Sequence, residues 1–75
     1  MDRTLTVSER LAIVVLWQCL SPLEYRPMKP EALAFMLTIK RQSASRILRR
    51  LVELGYLLMI HPDPRAPRQY LLVNS

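Results

Sequence analysis

Proline placement constrains this chain more than any other feature. Six prolines fall in two windows, Pro22, Pro27 and Pro30, then Pro62, Pro64 and Pro67. Proline lacks a backbone donor and restricts the residue before it, so both windows must be loops or element edges. Three stretches remain for regular structure: residues 6–21, residues 30–54, and two short apolar runs flanking the second window. No internal repeat or low-complexity tract is visible.

The first stretch opens Thr6-Val7-Ser8-Glu9, the spacing of a capping box, so a helix is expected from there to about Leu20. It is apolar nearly all round. Ala12, Ile13, Leu16 and Leu20 share one side, with Leu11, Val14 and Val15 on the other beside Val7 and Gln18. One side should enter the core, and Trp17 is expected there too. The second apolar side suggests a partner surface, with homodimerisation its simplest form.

An extended piece is expected near residues 25–28. Pro30 then suits the first position of a second helix, followed by Glu31 in its first turn. Thr38-Ile39-Lys40 breaks this helix, and a third runs from Arg41 to Leu54. Within it Ala44, Ile47, Leu48 and Leu51 recur at i, i+3, i+4 and i+7, one inward face. Gln42, Ser45, Arg46 and Arg49 occupy the opposite face, with Ser43 and Arg50 at its margins. The lone glycine, Gly55, is placed to stop the helix in a left-handed conformation. Leu57–Ile60 and Tyr70–Val73 read as strands of a hairpin with a long, proline-stiffened, basic loop. Neither run alternates with polar residues, so both faces of the sheet are expected to be covered, one of them by a subunit contact.

Charge sharpens this outline. Between Lys40 and Arg68 seven basic residues meet two acidic ones, which accounts for the whole net charge of +5. Such a concentration reads as a footprint for a polyanion or as a solvated basic face. At 75 residues the chain is expected to form one domain over 1–75, with a small core and no room for separate catalytic and regulatory units. A hydrophobic fraction of 51% argues against disorder. One cysteine excludes an intramolecular disulfide and suits a reducing interior. The uncharged run Leu11–Leu23 is too short to span a bilayer, and Met1-Asp2-Arg3-Thr4 does not resemble a secretory leader. A cytoplasmic location, with no membrane association, is the expectation.

The segment Leu33-Ala34-Phe35-Met36-Leu37-Thr38-Ile39-Lys40-Arg41-Gln42-Ser43-Ala44-Ser45-Arg46-Ile47-Leu48-Arg49-Arg50-Leu51, followed by Glu53-Leu54-Gly55-Tyr56-Leu57, resembles the winged helix-turn-helix of bacterial and phage transcriptional regulators. It is most similar to the MarR (multiple antibiotic resistance regulator) type. His61-Pro62-Asp63-Pro64-Arg65 through Arg68 resembles that family's wing. The resemblance covers about residues 6–73. It implies an α+β winged helix-turn-helix of three helices and a C-terminal hairpin, in bacterial cytoplasm or on the nucleoid. Thr38 departs from the pattern, standing where such turns usually have glycine. Phe35 and Met36 are more apolar than usual for an exposed second helix. The helices through which MarR-type proteins dimerise, and their ligand-binding part, have no counterpart in this sequence. Small phage or plasmid regulators are similar too.

An α-helix fits the major groove, and arginine and glutamine side chains match guanine and adenine edges. Gln42, Ser43, Ser45 and Arg46 are the base-edge candidates on double-stranded DNA. Arg49 suits a phosphate. Lys40 and Arg41 stand at a helix N-terminus that favours one. Arg65 is a minor-groove or phosphate candidate from the wing, with Arg68 behind it. Arg50 is included as a DNA contact, with a salt bridge to Glu53 or Glu24 as its structural alternative. The expected role is a sequence-specific regulator, such as a repressor, acting as a homodimer through helix 1 or the sheet. The alternative is a protein-interaction module using the same apolar surfaces. RNA or single-strand binding is disfavoured by the lack of exposed stacking aromatics in a basic groove. Cys19 reads as a small core residue, and His61 stands alone. With no carboxylate pair, catalytic triad, phosphate loop or zinc spacing, no enzyme activity, metal or cofactor is expected.

Overall fold

The computed structural model describes residues 5–73; the leader reading of residues 1–4 falls outside them. The elements are α1 (Val7–Cys19), β1 (Arg26–Pro27), α2 (Pro30–Leu37), α3 (Arg41–Glu53), β2 (Leu57–Ile60) and β3 (Gln69–Leu72). Three helices pack on a three-stranded antiparallel sheet of order β1-β3-β2, a small α+β arrangement.

The capping box forms as its spacing requires. The Glu9 N–H donates to Thr6 Oγ1 at 3.1 Å, and the Thr6 N–H donates to Glu9 Oε1 at 2.9 Å. Proline occupies the first turn of α2, where its missing N–H has no intrahelical partner to lose.

The stops of α2 and α3 share one hydrogen-bond pattern with different residues. After α3, the Tyr56 N–H reaches Leu51 O at 2.9 Å and the Gly55 N–H reaches Val52 O at 3.1 Å, with Gly55 at φ 89°. After α2, the Ile39 N–H reaches Ala34 O at 3.0 Å and the Thr38 N–H reaches Phe35 O at 3.3 Å. Here the left-handed residue is Thr38, at φ 57° and ψ 47°. A β-branched residue in this region is strained by about 1–2 kcal/mol, which the two turn hydrogen bonds and the docking of α2 on α3 offset.

The core is Ala12, Leu16 and Leu20 from α1, Met28, Leu33 and Ala34, then Ala44, Ile47, Leu48 and Leu51 from α3, with Leu57, Tyr70 and Leu72 from the hairpin. Each fully buried leucine stabilises the fold by about 2 kcal/mol. The register Leu57↔Leu72 and Met59↔Tyr70 directs these four toward the helices. The Leu72 N–H bonds Ser21 O at 3.1 Å, and the Met28 N–H bonds Arg68 O at 3.1 Å, tying the α1–α2 connection to β3.

Three expectations need correction. Trp17 is not in the core but 52% exposed, because Ala12, Leu16 and Leu20 already fill the inward side of α1. The outer face of the hairpin is uncovered, leaving Leu58 and Ile60 exposed. The last strand is Gln69–Leu72 rather than Tyr70–Val73, because Gln69 pairs with both Ile60 and Pro27.

Candidate functional site

The inward residues of α3 are fixed by packing, so its opposite side faces solvent by geometry alone. There Arg41, Gln42, Ser45, Arg46 and Arg49 line an open recess of about 420 Å³. Five of the expected contact residues therefore meet on one surface. Lys40 is exposed just before the helix, which lacks a side-chain cap at this end. Its first-turn N–H groups and their dipole add positive potential there.

Charge on this surface is unevenly committed. Arg41 Nε lies 3.6 Å from Glu31 Oε2, both exposed, a pairing worth little in water. Among the described residues no ion pair engages Lys40, Arg46, Arg49 or Arg65. Arg50 differs. Its Nε lies 2.7 Å from Glu9 Oε2, and the Glu9 side chain is only 6% exposed against 47% for Arg50. The partner is thus neither Glu53 nor Glu24. Glu9 uses one oxygen to cap α1 and the other to hold Arg50, which fastens α3 to the start of α1. Ser43, half-buried, turns toward this junction, lining a recess with Thr6, Ser8, Glu9 and Arg46.

The hairpin loop is ordered by its own polar groups. The Arg65 N–H donates to Asp63 Oδ1 at 2.9 Å, and the Ala66 N–H to Asp63 O at 3.0 Å. His61 Nε2 lies 3.2 Å from Ala66 O across the loop. Arg65 is presented at the exposed apex of this turn. Arg68 lies at the other end of the loop, beside the Tyr70 hydroxyl. Together with Ser45, Arg49, Val52, Glu53 and Met59 these two line a notch of about 210 Å³ between α3 and the hairpin.

No family model, no curated protein and no solved structure matches this chain.

Sequence reasoning missed two of these residues. Tyr70 reads in sequence only as a strand residue; it is buried in the core and also lines the notch. Burial raises the Tyr70 pKa above 10.0, with the nearby Arg68 charge opposing that shift. Glu9 reads in sequence only as a capping residue. Its second role depends on a contact across 41 positions that no local pattern announces. Cys19 packs against the core, its Sγ 3.9 Å from Met36 Sδ. Among the described residues no three His, Cys, Asp or Glu side chains gather as a metal site, and no helix is long and apolar enough to cross a membrane.

Proposed function

We propose that the chain is a winged helix-turn-helix that binds double-stranded DNA in a sequence-specific way, as a small transcriptional regulator. In this reading α3 enters the major groove. Gln42, Ser45 and Arg46 read base edges, Arg49 and Lys40 hold phosphates, and Arg65 reaches phosphate or the minor groove. The observation that carries it is the outward face of α3, where Gln42 and Ser45 sit among arginines, two of them without an ion pair among the described residues. The Thr38 turn and the basic hairpin support it, as does the resemblance of residues 33–57 to MarR-type sequences. As a homodimer the chain would set two such helices roughly 34 Å apart on a near-palindromic site.

Selection from a random duplex pool tests this reading. An enriched palindrome supports both DNA reading and dimerisation, an enriched asymmetric site supports a monomer, and a pool that stays random refutes sequence-specific binding. On the enriched duplex, about six phosphate contacts give a slope of log K against log salt near −5.

A second reading, a protein-interaction module, is favoured by a different surface. Val7, Leu11, Val14 and Trp17 form an exposed apolar stripe on α1. Trp17 borders a cleft of about 210 Å³ shared with Ile13, Tyr56 and Val73. A stoichiometric protein partner retained from nuclease-treated host lysate, and lost on Leu11→Gln, would support it.

A further inference from the structure

We propose that the notch between α3 and the hairpin is a seat for one backbone phosphate of a bound duplex, gripped by Arg49 and Arg68 with Tyr70 and Ser45 as neutral donors. This rests on the duplex-binding reading and adds a defined subsite to it. The notch joins residues far apart in sequence: Ser45, Arg49, Val52 and Glu53 from α3, Met59 from β2, and Arg68 with Tyr70 from the second half of the hairpin.

Three observations converge on a phosphodiester. The first is charge. Two guanidinium groups and the Glu53 carboxylate leave a net single positive charge, which matches the single negative charge of a diester. The second is the floor. Tyr70 is only 4% exposed, and its ring is anchored opposite Met59 in the sheet register. Its hydroxyl is therefore held by the fold rather than by a flexible stem. Tyr70 lines the notch beside Arg68, and in this proposal its hydroxyl donates to the phosphate while the Arg68 guanidinium holds the charge. The third is position. Arg49 borders both this notch and the recess on the crest of α3. A strand passing the helix flank would bring its phosphate there while bases meet the crest.

The test uses the full chain and the duplex enriched by selection, with affinity measured over a range of salt. Arg68→Gln should weaken binding about tenfold and make the salt slope shallower by roughly one. Tyr70→Phe keeps the ring, so the fold is preserved. It should weaken binding about threefold and leave the slope unchanged. Arg10→Gln, on exposed α1, should change neither. Replacing phosphates one at a time by neutral methylphosphonates should then reveal one position at which Arg49→Gln and Arg68→Gln both become silent.

An Arg68→Gln variant with the parent affinity and slope overturns the notch while leaving duplex binding standing. So do losses that stay undiminished at every neutralised phosphate. A chain that binds no duplex overturns both readings. Capture of polyglutamate instead, lost on Arg68→Gln, would assign the notch to an acidic protein segment and overturn it as a phosphate seat.

Discussion

The outward sides of α1 and α3 meet the same solvent with opposite chemistry. Both helices have 13 residues, and both bury their opposite side in the same core. On α3 the exposed side carries Gln42, Arg46 and Arg49, side chains that water solvates well. On α1 it carries Val7, Leu11, Val14 and Trp17, which water does not. A hydrated cationic surface needs no partner for stability, so its composition is free to serve recognition. An exposed apolar stripe gains from any contact that covers it. On the proposed reading, the contrast separates a face that reads a ligand from one that recruits another surface.

The largest effect expected from breaking this contrast comes from the inner side of α1. Leu16→Ala should lower unfolding free energy by about 3 kcal/mol, read from urea denaturation, because Leu16 is fully buried. Leu11→Gln on the outer side should change the isolated protomer by less than about 0.5 kcal/mol. If α1 mediates dimers, the same change should abolish the dependence of Tm on protein concentration. A loss as large as that of Leu16→Ala would mean that Leu11 belongs to the core.

On α3, Arg46→Ala should weaken specific duplex binding by about 1–3 kcal/mol and relax preference at one base position. Equal loss on every sequence would reassign Arg46 to phosphate. Glu9→Gln should destabilise the fold by about 1–2 kcal/mol in chemical denaturation, discounted because Arg50 keeps access to water. The variant should nevertheless bind with unchanged sequence preference, since Glu9 acts on the anchoring side of α3.

Two smaller effects concern the frame that presents α3. Thr38→Gly relieves left-handed strain of about 1–2 kcal/mol and incurs part of that as added chain entropy, so a net gain of about 0.5–1 kcal/mol is expected. A loss would show that the Thr38 side chain contributes more than its backbone strain removes. The Tyr70 shift has a definite sign. Its folded pKa is raised, so its contribution is complete below pH 10.0 and fades as pH climbs through the raised value. Tyr70→Phe should remove that alkaline component of the stability profile and leave neutral pH behaviour otherwise similar.

Much of this fold was legible because its signals are local. Thr6 and Glu9 mark one helix start, Pro30 another, and Gly55 a stop. The spacing of Ala44, Ile47, Leu48 and Leu51 alone determines which side of α3 faces out. Where information is shared between distant residues, legibility ends. Nothing near Arg50 indicates Glu9 as its partner. Trp17 carries the apolar character of a core residue, and only the filled inward side of α1 explains its exposure. Thr38 obeys the turn's geometry against its own preference, so the composition of the turn concealed a conformation that the surrounding hydrogen bonds enforce. That Arg41, Gln42, Ser45, Arg46 and Arg49 share one side of α3 was legible from helical spacing. The place of Tyr70 on the notch wall was not, since it depends on how the hairpin packs against α3.

Mapping backbone amide chemical shifts by NMR while adding the selected duplex compares the two helix faces in one experiment. Shifts should concentrate over residues 40–50 and 63–70 and spare Val7, Leu11 and Val14. Perturbations confined to the exposed stripe of α1, with the arginine side of α3 silent, would contradict the account.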